Sequence, residues 1–411
     1  MGIKVADRLL NSARALNIME EIGIDALVAT EAQNVTYASN FWALAQWLRR
    51  GPQVYAVLSR ESLEEESSLI VGTGSLDLVA TQDVWIKNVI RYGFFSLKGS
   101  AENAAEGDWA MAEQKRLKEL FDTPQHDGPA TALAEAINRM GLSKGRIGID
   151  ESGISPAVLA ELKTLLPHCE IIEATQTFRK IRAVKTEAEV ERLTKAAQYT
   201  ERAIEATFAV AKPGMTETEL SRVFLRELIN AGTDPALTVL GAGVRSALPS
   251  ATPSEYRLAA GDIIRFDAGC YYQHYRADIS RCAILGEPTE KQNRIYQAIL
   301  AGQDAALAAI RPGIPAQDIY HAAMEAARSA GIPDYERNHI GHGIGIEGYD
   351  VPNLTAQETT LLEPGMTLCI ETPYYEIGWG GLQIEDTIVV TDTGYQTLMS
   401  TDRHLRILNT H

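Results

Sequence analysis

Cysteine is scarce in this chain. Four residues, Cys169, Cys270, Cys282 and Cys369, serve 411 positions. They have no CxxC or other zinc-type spacing, and three lie within apolar strand patterns. A disulfide framework and a cysteine-built zinc site are therefore excluded, and buried free thiols in a reducing compartment fit the pattern. Long hydrophobic runs are also missing, so no segment reads as a transmembrane helix. The opening MGIKVADRLLNSARALNIMEE lacks the apolar core of a signal peptide, and Ala6 stands where a myristoylation signal needs Ser or Thr. Positive charge is in deficit, with 38 Lys and Arg against 54 Asp and Glu for a net charge of −16. That balance argues against non-specific binding to nucleic acid or to an anionic membrane. The expectation is a soluble cytoplasmic protein. Its hydrophobic fraction of 45% supports a sizeable core, and its length suggests two or three domains.

An internal repeat organises the C-terminal half. Gly261–Leu285 reads GDIIRFDAGCYYQHYRADISRCAIL, and Gly365–Val390 follows the same plan. In each, a Gly precedes an apolar strand that carries an acid, Asp267 or Glu371. Aromatic residues follow, and a second acid stands on the returning strand, Asp278 or Glu385, with a hydroxyl residue two positions on, Ser280 or Thr387. Such self-similarity is a fold-level signal. Two facing hairpins would bring four carboxylates together. Bare carboxylates a few ångströms apart force one another to protonate, so cations are required, and four acids can hold two divalent ions. A fifth ligand is offered by Gly341-His342-Gly343, whose glycines permit close backbone approach and positive φ. The expected metal set is Asp267, Asp278, His342, Glu371 and Glu385. Four oxygen donors and one nitrogen suit manganese, with iron, cobalt or zinc as alternatives.

Along the chain, 8–22 reads as an amphipathic helix. Asp25–Thr30, Val54–Ser59, Ser68–Gly72 and Val84–Tyr92 read as strands, and Asn34–Phe41 leads into an aromatic, basic segment with Trp42, Trp47, Arg49 and Arg50. Residues 93–128 form a polar excursion, either surface decoration or a lid, with a helical run at Gln114–Phe121. Helices at Pro129–Met140 and Ser155–Leu166 alternate with strands at Gly145–Asp150 and Glu170–Ile172. A boundary falls near Phe178–Lys185, where the apolar pattern stops. Thr186 then caps a long helix from Glu187 to Val210. Thr216 with Glu219 forms a capping box for the next helix, and helices at Glu290–Ile310 and Ala316–Ala330 separate the two hairpins. Hairpin strands with long helices indicate an α+β fold.

These residues resemble the pita-bread metallohydrolases, which include methionine aminopeptidase, aminopeptidase P, prolidase and the metal-free creatinase. The five ligand candidates occur in the family's order, most like prolidases. The resemblance implies a C-terminal pita-bread domain over 183–411 and a smaller α/β creatinase-like N-terminal domain over 1–182. It implies that Asp267 chelates one metal, that Glu371 and His342 chelate the other, and that Asp278 and Glu385 bridge them. It makes Glu371 the general base, with His342 and Tyr349 in the catalytic group. His339, Tyr375, Gln383 and Arg276 are the candidate substrate contacts. A homodimer is implied, with Trp42, Trp47, Arg49 and Arg50 in the region that reaches a neighbouring subunit.

The departures from the family pattern are specific. Ser250 stands where an LPHY-type turn carries His, Tyr349-Asp350 replaces a His-Glu pair, and Gln383 replaces the Arg of a RIED run. The expected activity is dinuclear metal-dependent cleavage of a peptide or amide C–N bond, Xaa-Pro dipeptidase-like, on a dipeptide or other small molecule. The alternatives are a small-metabolite amidohydrolase or lyase on the same fold, related in kind to creatinase, ectoine hydrolase or a dimethylsulfoniopropionate lyase, and a non-enzymatic binding protein.

Overall fold

A computed structural model describes residues 8–48, 51, 53–98 and 109–410. The chain separates into two compact units, 1–182 and 183–411.

The N-terminal unit is built on seven strands: β1 (Ala26–Ala29), β2 (Tyr55–Ser59), β3 (Ser68–Gly72), β4 (Asn88–Tyr92), β5 (Gln125–His126), β6 (Arg146–Ile149) and β7 (Glu170–Glu173). Their order is β5-β4-β3-β2-β1-β6-β7, antiparallel at β1–β2 and β2–β3 and parallel elsewhere. The central strands are buried along their whole length, as expected where helices cover both faces. The Pro129–Arg139 helix lays Leu133, Ala136 and Ile137 into the same core as Val28, Val57, Ile70 and Ile147. Asp150, fully buried after β6, is completely hydrogen-bonded. Its carboxylate accepts from Glu31 N at 2.9 Å, Asn34 Nδ2 at 2.6 Å and Thr175 Oγ1 at 2.8 Å.

Three segments of this unit differ from the sequence reading or extend it. Residues Ala32–Ser39 form a helix despite the β-branched Val35 and Thr36; Asn34 to Ser39 are all buried, so tertiary packing outweighs propensity. The helix Thr175–Ala183 continues through the expected domain boundary, with Phe178, Ile181 and Arg182 all buried. In the 93–128 excursion a helix covers Trp109–Phe121. Residues 99–108 of that excursion, and Arg49 and Arg50, lie outside the described residues.

The C-terminal unit holds a sheet of ten strands: β8 (Asp234–Ala242), β9 (Ile263–Tyr272), β10 (Tyr275–Arg276), β11 (Ile279–Leu285), β12 (Gly341–Gly343), β13 (Asp350–Asn353), β14 (Thr367–Glu371), with β17 (Glu385–Val390), β18 (Tyr395–Thr397) and β19 (Arg406–Leu408). β15 (Tyr374–Glu376) and β16 (Gly380–Leu382) form a separate ribbon. The main path runs β10-β9-β11-β17-β14-β12-β13, so the two hairpins of the repeat meet through their returning strands, β11 and β17. The unit also holds the helices Glu187–Val210, Glu217–Asn230, Glu290–Ala309 and Ala316–Ser329. Thr186–Glu189 and Thr216–Glu219 both close reciprocal capping boxes. Ile299, Tyr320 and Ala323 of the last two helices share a core with Leu368, Ile370, Ile388 and Val390. Along β14 and β17 these apolar residues alternate with Cys369, Glu371, Glu385 and Thr387, so one face of the sheet packs and the other carries chemistry.

Candidate metal centre

Strand register builds the site. Asp267 on β9 pairs with Ser280 on β11, Ser280 with Glu385 on β17, and Glu385 with Glu371 on β14. Directly opposed residues of antiparallel strands share a face, so three acids stand in one row across four strands. Asp278, two residues before Ser280, shares that face. A parallel row beneath it aligns His342, Cys369 and Thr387. Gly341 has φ +149°, and a Cβ there would lie 2.1 Å from the Cys369 carbonyl oxygen. Only glycine lets β12 come close enough to bring the imidazole into the row.

Four of the five expected ligands, Asp267, Asp278, His342 and Glu385, fall in two overlapping donor groups, and Glu371 falls in neither. Donor atoms of Asp267, Asp278 and Glu385 lie within 4.8 Å of one another, as do those of His342, Cys369 and Glu385. Glu385 belongs to both. Glu371 stands opposite it, with Oε1 3.2 Å from His339 Nδ1. Cys270, Cys282 and Cys369 are buried free thiols and Cys169 is only half-buried; beyond the sequence reading, the Cys369 sulfur lies among the donors. Alternation alone pointed to it, since it precedes Glu371 by two residues on a strand.

The donor set fits divalent cations. Asp278 and Glu385 are 3% and 2% exposed, and Oδ1 of Asp278 has no hydrogen-bond partner among the described residues. That is the opposite of fully bonded Asp150. Burial, then the charge of Asp267, pushes Asp278 well above the usual carboxylate range. Burial, then Asp278 and Glu371, does the same to Glu385. Glu371 is pushed up to about 7 by burial and by Asp267. Burial raises Asp267 too, against the opposing charge of Arg265. Carboxylates crowded in this way are stabilised as anions by a bound cation. Burial lowers His342 to about 4, which keeps it neutral. Its Nδ1 is 3.0 Å from the Gly343 carbonyl. A proton on Nδ1 donated there leaves Nε2 as the ligand nitrogen.

The surrounding shell is aromatic and cationic. Tyr349 stacks on His342 with centroids 3.7 Å apart and planes at 20°, and His339 stands edge-on to both rings. Burial and then the nearby carboxylates raise the Tyr349 hydroxyl pKa, so it is a neutral phenol. Gln383 donates from Nε2 to Asp267 Oδ2 at 3.3 Å and Glu385 Oε2 at 3.4 Å, and its Oε1 accepts from Tyr375 OH at 3.0 Å. Arg276 Nη2 is 3.8 Å from Asp278 Oδ2. Ser250 is exposed on its turn, whereas Tyr374 and Trp379 pack against the helix-covered core.

Two arginines escaped the sequence reading. Arg337 lies over the Tyr375 ring at 5.5 Å, and its Nε is buried with no hydrogen-bond partner among the described residues. Its only signal was proximity to His339 and His342. Arg265 is fully buried beside Asp267. It was visible as a charge in the apolar run IIRFD, two residues before an acid and hence on the same face.

Residues 191–392 match metallopeptidase family M24, and residues 12–184 match the creatinase/prolidase N-terminal domain. The Xaa-Pro dipeptidase of Pyrococcus horikoshii is 33% identical over 257 residues, covering 62% of this chain and 73% of that protein. The Xaa-Pro dipeptidase of Pyrococcus furiosus is 34% identical over 238 residues, covering 57% and 68%. Among solved structures, the Pyrococcus horikoshii prolidase is similar with a TM-score of 0.74 at 26% identity, covering 96% of this chain and 99% of that one. The Pyrococcus furiosus prolidase gives 0.72 at 25%, covering 94% and 100%. With the α+β pita-bread architecture and the carboxylate-rich sheet face described above, these similarities establish that the chain belongs to metallopeptidase family M24 and is a metallohydrolase.

Proposed function

We propose that this chain hydrolyses Xaa-Pro dipeptides with two divalent cations held by Asp267, Asp278, His342, Glu371 and Glu385. The observation that carries the reading is Glu385's membership of both donor groups, which is the arrangement a bridging carboxylate needs. The names of the relatives supply the substrate class. Bound cations would supply a water of lowered pKa and a polarised substrate carbonyl.

The remaining chemistry falls to side chains. Glu371, with a pKa near neutrality, suits a general base that accepts a proton at a carboxylate oxygen. Tyr349 offers a neutral O–H beside His342 and could donate a hydrogen bond to charge developing on the substrate oxygen. Arg276 and Arg337 flank the carboxylates and suit the terminal carboxylate of a dipeptide. His339 and Tyr375 complete the wall. The reading takes manganese as the metal, which the oxygen-rich donors support. It takes the cytoplasm as compartment, which the free cysteines support, and a homodimer as assembly. Among the described residues no helix is long and apolar enough to cross a membrane.

A second reading, hydrolysis of a small amide-bearing metabolite, is favoured by one observation. The Tyr349 ring covers His342 at the position where the prolidase pattern carries a histidine. A panel of Xaa-Pro dipeptides and small amides, assayed with manganese-reconstituted protein and a Glu385→Gln blank, separates the two. Dipeptide cleavage by the intact protein alone supports the first. Cleavage of amides only moves the assignment to the second.

A further inference from the structure

We propose that Arg265 is a positioning residue that acts through Gln383 to aim the metal-facing oxygens of Asp267 and Glu385, and thereby sets the cation affinity of the site. The inference rests on the metal reading above. A glutamine amide can face either way, because its oxygen and nitrogen have the same shape. Here its orientation is decided by neighbours. Arg265 Nη1 donates to Gln383 Oε1 at 2.8 Å, and Tyr375 OH donates to the same oxygen at 3.0 Å. A flipped amide would turn its NH2 against the guanidinium and its oxygen against two carboxylates. With the amide fixed, its two N–H groups engage Asp267 Oδ2 and Glu385 Oε2, leaving one oxygen of each acid for a cation.

Arg265 has no freedom to swing away. Its Nε donates to Ser246 O at 2.9 Å, and its Nη2 donates to Leu248 O at 2.6 Å and Pro249 O at 3.2 Å. Its guanidinium also lies over the Tyr375 ring at 5.1 Å. A fully buried guanidinium with no directly hydrogen-bonded acid is rare. Its nearest carboxylate oxygen among the ion pairs, Asp267 Oδ2, is 3.8 Å from Nη1; its charge reaches Asp267 directly, an effect whose loss would not weaken cation binding, whereas its hydrogen-bonded, directional influence passes through the amide. The turn Ser246–Pro249 is thus tied to the carboxylate row by one side chain.

The test is a double-mutant cycle read by calorimetric titration of chelator-stripped protein with Mn2+, alongside apoprotein melting curves. Arg265→Met should weaken Mn2+ binding about 10–100-fold, the usual effect of losing an outer-shell partner. Gln383→Met should do the same. The double variant should be no worse than Gln383→Met alone, because the two act in series. Arg265→Lys keeps the charge but loses the planar fork, and should also bind Mn2+ more weakly, which covers the case that Arg265→Met does not fold. Unchanged Mn2+ affinity in a folded Arg265 variant, even one with a lowered melting temperature, overturns the proposal. So do additive losses in the double variant. Wild-type protein that binds no Mn2+ overturns the metal reading itself and this inference with it.

Discussion

At the scale of single residues, a buried acid means different things in different surroundings. Asp150 and Asp278 are both nearly inaccessible. Asp150 is saturated by backbone and side-chain donors, whereas Asp278 keeps an oxygen unpartnered among the described residues. An unmet acceptor of this kind costs on the order of 1–3 kcal/mol, a cost that a cation offsets. Glu385→Gln removes a carboxylate shared by both donor groups. Mn2+ affinity should fall by at least about 10–100-fold, with turnover falling with it. Full metal loading in that variant, measured by elemental analysis, would place the bridging role elsewhere. Tyr349→Phe keeps the ring on His342 and removes only the hydroxyl. It should leave Mn2+ affinity unchanged and lower kcat by on the order of a hundredfold if the phenol serves the transition state. Equal kcat in the two proteins would reduce Tyr349 to a wall of the site.

At the scale of elements, the helix starts were legible because capping is local chemistry. The Thr186 cap and the Thr216–Glu219 capping box were read from identity and spacing alone, and the structure adds Glu189 as the reciprocal partner of Thr186. β8, the short β12 and β13, and the helix Ala32–Ser39 were not, since their conformations are set by tertiary burial rather than by propensity. The acid-bearing hairpins were readable from their repeat. Their register was not, and it decides which groups share a face. Arg265 and Cys369 were missed although each stands two residues before a ligand acid on its own strand, where alternation puts both on one face. Glu189 shows how an element can carry a pH dependence. Burial pushes its carboxyl from 4.5 up to about 7, against the opposing charge of Lys185. Between those values the native state holds a proton that the unfolded chain has released, so stability must fall as pH rises through that window. Glu189→Gln can keep the capping box and should flatten the fall, as followed by melting temperature from pH 4.5 to 7.5. An unchanged slope would mean that another group carries it. Gly269 makes a steric test of the first hairpin. A Cβ there would lie 1.8 Å from the Ala277 carbonyl oxygen. Gly269→Ala should destabilise the protein by about 1–3 kcal/mol or more in urea unfolding, and weaken Mn2+ binding by displacing Asp278.

At the scale of the whole molecule, the central claim is that the sheet face of the C-terminal unit holds two divalent cations. Such a site couples metal to stability. Cation at a hundred times its dissociation constant stabilises the native state by about 2.7 kcal/mol per site, so chelation should lower the melting temperature and Mn2+ should restore it. The N-terminal unit has its own sheet and core and contributes none of the five ligands. The most direct measurement is calorimetric titration of the chelator-stripped full chain with Mn2+, with the melting temperature recorded at each end point. Two cations bound per chain, with a raised melting temperature and loss of both effects in Glu385→Gln, is the predicted result. Absence of binding with an unchanged melting temperature would contradict the claim.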